Sequence, residues 1–198
     1  MRIIFVRHGK DDDAYRGGWS SLGLLDEGKR QSQAVADYFR TTSEYKIEYI
    51  VSSDLNRAIE TAEYIATALD LPIHTDTRLR ETNNGDLAGM LNSEALVKFP
   101  GLFWNTLAMD EAYPNGESPA AFYLRIKEWF DDIIKSSLTN NGDLLVVTHG
   151  GVINIIYYLV KELEWTNKKP QFPIDKCSIH VLNVDSMTLE VVNKVVWE

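Results

Sequence analysis

Two runs of branched apolar residues, Ile3–Val6 and Leu144–Val147, each lead into a histidine followed by glycine, at His8-Gly9 and at His149-Gly150. Runs that are apolar at every position, with no polar alternation, suit strands covered on both faces. Such strands need helices above and below them, which argues against a one-faced antiparallel sheet as the centre of the fold. Tyr49–Val51 and Pro72–Thr75 are shorter candidates of the same kind. Between the strands lie apolar residues at helical spacing: Val35, Tyr38 and Phe39, then Ala58, Ala62, Ile65 and Leu69, then Phe122, Ile126, Trp129 and Ile133. The last of these segments follows Ser118 and Pro119, a side-chain cap with proline in the first turn. Strand and helix alternate, so the expected class is α/β, with a mainly parallel central sheet and helices on both faces. Ile179–Val184 and Leu189–Val196 flank Asp185 and Ser186 and predict a closing hairpin. The stretch from Thr82 to Glu117 is interrupted by Asn, Gly and Pro, and only Glu94–Phe99 has a helical pattern. It predicts a small cap insertion (about 82–117) inside one domain spanning residues 1–198.

A chain of 198 residues with 44% hydrophobic content has enough apolar surface to build its own core. Its 20 Lys and Arg against 29 Asp and Glu leave a net charge of −9, which argues against a nucleic acid partner. That binding needs a basic face to displace phosphate counterions. Cys177 is the one cysteine, so no intrachain disulfide and no cysteine cluster for zinc is expected. It reads as a small packed residue beside a strand. Ile3–Val6 is too short for the apolar part of a secretory signal, and Val152–Val160 is far below the roughly 20 apolar residues that cross a bilayer. The expectation is a cytoplasmic protein with no membrane partner.

In open parallel sheets, ligands bind beyond the carboxyl ends of the strands. Arg7 and His8 follow the first strand, Arg57 opens the helix after the second, Glu81 lies in the loop after Thr75, and His149 with Gly150 follows the Leu144–Val147 strand. Two guanidiniums directed at one point require an anion between them. A phosphoryl group fits the rigid donor fork of arginine, and the N–H groups of Gly150 and Gly151 at a helix start offer a further anion site. A neutral imidazole is able to attack phosphorus and pass the phosphoryl group on to water. Glu81 is then the natural proton donor for the leaving alcohol.

With these residues in place the chain resembles the histidine phosphatase superfamily, the phosphoglycerate mutase-like proteins, on its phosphatase branch. The resemblance rests on VRHGK at Val6–Lys10, LLDEGKRQSQA at Leu24–Ala34, SSDLNRAIETA at Ser52–Ala62, LRETNNG at Leu79–Gly85, PNGES at Pro114–Ser118 and VVTHGG at Val146–Gly151. It implies a three-layer α/β/α sandwich, His8 as nucleophile, Arg7, Arg57 and His149 as the phosphate pocket, and Glu81 as general acid and then base. It also implies no metal and no cofactor, and a small phosphorylated metabolite as substrate.

Two departures from the family pattern stand out: Lys10 where Glu or Gln is usual, and Ala14 where many members have Asn. Lys10 reads either as a substrate-binding group beyond the phosphate or as a solvated side chain. The acidic run Asp11–Asp13 reads chiefly as a solvated loop, with repulsion of a second anionic group on the substrate as the sharper alternative. His74 and His180 read as packed or edge residues of strands. No zinc-ligand spacing, Walker loop or nucleophile elbow occurs. The main competing function is phosphoglycerate mutase-type phosphoryl transfer, which has to grip a substrate at both ends. Against it, the only arginine between Thr82 and Thr148 is Arg125, placed for a structural ion pair. Leu102, Phe103, Trp104, Leu107, Met109 and Tyr113 instead offer a lid core or an apolar pocket. A third reading is a weakly active regulator that binds a phosphorylated ligand.

Overall fold

The computed structural model describes residues 1–137, 142–168 and 172–197. In chain order the elements are β1 (Arg2–Arg7), α1 (Asp26–Thr41), β2 (Ile47–Ser52), α2 (Asn56–Leu69), β3 (Ile73–Thr75), α3 (Asn92–Lys98), α4 (Pro119–Ser137), β4 (Asp143–Thr148), α5 (Gly150–Val160), β5 (Ile179–Asn183) and β6 (Thr188–Lys194). They form a six-stranded sheet in the order β3-β2-β4-β1-β5-β6. The first four strands in that order run parallel, and β5 and β6 close the sheet antiparallel.

Alternate residues of β1 serve opposite faces. Ile3 and Phe5 join the cluster built with Phe122, Ile126 and Trp129 of α4 and with the apolar side of α5. Ile4 and Val6 join the cluster built with Val35, Ala36 and Phe39 of α1 and with Ala58, Ala62 and Ile65 of α2. The sheet therefore lies between two helical layers, a three-layer α/β/α sandwich, and each fully covered Ile or Leu contributes about 1.5–3 kcal/mol. Ser118 caps α4 as its position predicts, its Oγ accepting from the Ala121 N–H at 3.2 Å. Among the described residues no helix is long and apolar enough to cross a membrane.

One strand departs from its sequence reading. β3 is the sheet edge, with Thr75 and the imidazole-bearing His74 exposed, so it is not buried on both faces. The segment Thr82–Glu117 contains α3, a short 3-10 turn at Gly85–Leu87, and a small core of Leu87, Leu107 and Tyr113.

Register fixes where the site lies. Arg7 pairs with Thr148 across β1 and β4, and Ser52 pairs with Val147 across β2 and β4. The residues that follow, His8, His149 and Ser53, consequently leave the sheet side by side at one edge.

Candidate active site

His8 is buried, and its Nδ1 lies 2.8 Å from its neighbour's carbonyl, Gly9 O. A carbonyl only accepts, so Nδ1 carries the proton and Nε2 keeps its lone pair. The Nε–H of Arg57 donates to that Nε2 at 3.3 Å. Burial, followed by the charges of His149, Arg57, Lys176 and Arg7, holds the His8 imidazole far below its ordinary value. His149 lies beside it, the two ring centroids 5.0 Å apart. Burial and then Arg57, Arg7, Lys176 and Arg125 push His149 down as well. His149 Nε2 lies 2.8 Å from Ser53 Oγ, while its buried Nδ1 has no hydrogen-bond partner among the described residues.

Backbone contacts fix this cluster. The Gly9 N–H donates to Thr61 Oγ1 at 3.0 Å, and that hydroxyl donates to Arg57 O at 2.8 Å, linking the His8 turn to the first turns of α2. Gly9 and Gly28 are in such close approach that a Cβ on either would collide with the other's loop, which accounts for glycine at both positions. Arg57 NH2 donates to Gly18 O at 2.7 Å, and Arg7 NH1 to Ile174 O at 2.5 Å. Arg7 Nε is buried and has no hydrogen-bond partner among the described residues.

Glu81 stands across the cleft. Its Oε2 accepts from the Gly151 N–H and its Oε1 from the Thr82 N–H, both at 3.0 Å. The amide of Gly151 therefore holds Glu81, where the sequence reading had it free for the anion. A Cβ on Gly151 would strike Glu81 Oε1. The Glu81 carbonyl receives Trp19 Nε1 at 2.7 Å and Arg125 NH2 at 3.2 Å. Arg125 also donates to the carbonyls of Arg78 and Arg80 and pairs with Glu117 at 2.6 Å. It is the structural ion pair expected, and it fastens the segment that carries Glu81.

Arg7, Glu81 and Gly150 open into a cleft of about 390 Å³ walled by aromatic side chains, among them Trp104, Phe122, Trp165 and Phe172. Trp165, Asn167 and Phe172 carry no periodic sequence signal and were not foreseen. Lys10 is not among the lining residues; its Nζ pairs with Asp13. Asp11 is buried, paired with Lys176 and 3.5 Å from Arg57 Nε, which corrects the solvated reading of that residue. A lone carboxylate that close to an anion site calls for a counter-cation, and the adjacency of Asp11 to His8 was the one signal of Lys176. His180 is a packed strand residue, between Tyr157 OH at 2.6 Å and Ser178 Oγ at 2.8 Å.

A buried neutral imidazole between arginines, faced by a carboxylate, at the carboxyl edge of a parallel sheet, defines an enzyme that handles an anionic group. The description of the histidine phosphatase superfamily (branch 1) matches residues 3–195, and the chain belongs to that family. It is 36% identical over 168 residues to "Phosphoglycerate mutase-like protein 4" of Arabidopsis thaliana, covering 78% of this chain and 69% of the relative. It is 27% identical over 190 residues to "Phosphoserine phosphatase 1" of Hydrogenobacter thermophilus, covering 93% and 87%. Among solved structures, a mycobacterial glucosyl-3-phosphoglycerate phosphatase in complex with inorganic phosphate superposes with a TM-score of 0.78 at 27% identity, over 100% of this chain and 99% of that one.

Proposed function

We propose that the protein hydrolyses phosphomonoesters of small metabolites through a phosphohistidine on His8, without a metal. The observation that carries this is the state of His8: neutral, with Nδ1 committed to Gly9 and Nε2 facing Arg57. In the first step Nε2 forms a bond to phosphorus while the bond from phosphorus to the ester oxygen breaks, and that oxygen takes the proton of Glu81. In the second step water attacks phosphorus and gives its proton to Glu81. The phosphorus–nitrogen bond then breaks and orthophosphate leaves. The unpartnered Arg7 Nε and His149 Nδ1, with the Arg57 guanidinium, supply donors for charge on the transferring oxygens, the work that Mg²⁺ does in other phosphoryl transfer sites. The Thr82–Glu117 segment acts as a cap over the leaving group.

Hydrolysis is favoured over mutase-type transfer by the cleft. Among its described lining residues Arg7 is the only cation, and Trp104, Phe122, Trp165, Phe172 and Ile174 give the wall its apolar surface. They suit a leaving group with an apolar body better than one with a second anionic end. Turnover of p-nitrophenyl phosphate, unchanged by EDTA and inhibited by vanadate, is the expected result. A protein that binds phosphate but turns over no ester is a binding regulator, and activity lost in EDTA and restored by a divalent ion removes the metal-free mechanism.

A further inference from the structure

Lys176 lies in the turn that enters β5, and that turn is bound to the nucleophile strand. The Cys177 N–H donates to His8 O at 3.3 Å, the Arg7 N–H to Ser178 O at 3.2 Å, and the Ser178 N–H to Asp175 O at 3.1 Å. Cys177 has a φ of 53°, the left-handed region, which costs a residue with a side chain of the order of 1 kcal/mol and persists where surrounding contacts enforce it. The Lys176 side chain is mostly buried, and its Nζ contacts Asp11 Oδ1. The other oxygen, Asp11 Oδ2, is 3.5 Å from Arg57 Nε, the atom that donates to His8 Nε2.

Asp11 thus stands between two cations, with the ammonium nearer than the guanidinium. A buried carboxylate with Arg57 alone would neutralise a charge needed for the phosphoryl group and would repel that group. Without Asp11 the buried ammonium would keep only Asp13, whose Oδ1 is 4.0 Å from Lys176 Nζ and which also pairs with Lys10, and would leave added positive charge near Arg7 and Arg57. Burial and Arg7 together hold the Lys176 ammonium below its ordinary value against the pull of Asp11, and Lys176 in turn depresses both His8 and His149, so its charge is felt at the reacting atoms.

We propose that Lys176 and Asp11 form a charge clamp that sets the anion affinity of the phosphoryl pocket. Lys176 engages the Asp11 carboxylate and leaves Arg57 to the phosphoryl group. Asp11 cancels enough of the added charge for orthophosphate to leave. Lys176 is a positioning residue in this scheme, acting through Asp11 and Arg57. The clamp rests on the phosphatase reading, and the two fail differently: a wild-type protein without turnover defeats the reading, whereas orthophosphate affinity measured by calorimetry tests the clamp on its own.

The test is a double-mutant cycle of Asp11→Asn, Lys176→Met and the pair, read by orthophosphate Kd, by KM and kcat separately, and by melting temperature. Asp11→Asn is expected to tighten orthophosphate several-fold and, through slower release of product, to lower kcat and KM together. No unfolding mimics a gain in affinity. Lys176→Met is expected to weaken orthophosphate about tenfold or more, Lys176→Arg to restore it, and the double variant to lie nearer wild type than the sum of the two single effects places it. Unchanged or weaker orthophosphate binding in Asp11→Asn, or strictly additive effects around the cycle, overturns the clamp.

Discussion

Around His8 the side chains are fixed from strand ends and by backbone hydrogen bonds, through Gly9, Thr61, Gly18 and Ile174. Around Trp104 and Trp165, in the wall of the same cleft, ring packs against ring, with Asn167 Nδ2 donating to Trp104 O at 2.6 Å beside it: the Trp104 and Trp165 centroids lie 6.3 Å apart, and Trp165 stacks on Tyr123 at 5.4 Å. The first region uses directional bonds, so its geometry leaves little room for substitution. In the second the hydrogen bonds go to backbone carbonyls and the ring side chains are held by apolar contact, which tolerates a change of shape at modest cost. On the proposed function, reaction type resides in the sheet edge and substrate choice in the loops, a division that substitutions on either side can break.

The largest expected effect among single substitutions opposite His8 is at Glu81. Glu81→Gln should lower kcat for alkyl phosphates by about 10²–10⁴ while sparing p-nitrophenyl phosphate, whose leaving group needs little protonation. An equal loss on both substrates would transfer the acid role to another carboxylate, with Asp86 the nearest in the cap loop. Next is Gly151→Ala, which inserts a methyl against Glu81 Oε1 and should cost roughly 10²-fold on alkyl phosphates through displacement of the acid. Retention of full activity would show that the amide contact does not position Glu81. On the other side of the cleft, Trp165→Leu should raise KM for aryl phosphates by about threefold to tenfold and leave orthophosphate binding unchanged. A fall in kcat for every ester would erase the distinction between the two regions.

The last effect is on stability and leaves the comparison of activities untouched. His180 is buried neutral, with its value pushed down to about 4 by burial, from 6.5 for the free imidazole. At a pH above 6.5 neither folded nor unfolded chain binds this proton, and as pH falls the unfolded chain binds it first. Stability is therefore intact above pH 6.5 and declines until about pH 4, by roughly 3 kcal/mol for this group. Urea titrations across that window should show a shallower decline in His180→Gln. An identical decline would place the loss at other groups.

The two strands that lead into His8 and His149 were legible because each holds four successive apolar residues, Ile3–Val6 and Leu144–Val147, and is followed within three residues by glycine. The place of Arg57 at the same edge followed from the alternation of strand and helix, whereas nothing singled out Ser53. Glu81 was legible as a carboxylate at the correct edge, although its tie to the Gly151 amide was not, because nothing in a sequence says which acceptor a helix-terminal N–H will take. Lys176 was hidden for a different reason: its partner Asp11 is 165 positions away in a run of three aspartates, where only burial separates Asp11 from its solvated neighbours. The aromatic wall was half legible. Trp104 stood out in the cap, whereas Trp165 and Phe172 come from an aperiodic loop whose course depends on packing against α4 and α5.

The covalent step is the centre of the account, and rapid quench with a ³²P-labelled phosphomonoester addresses it directly. The expected result is an acid-labile, base-stable phosphoryl adduct that forms in wild type, maps to His8, and is absent from a folded His8→Ala variant whose turnover has collapsed. An adduct mapped to another residue, or full turnover in His8→Ala, would contradict it.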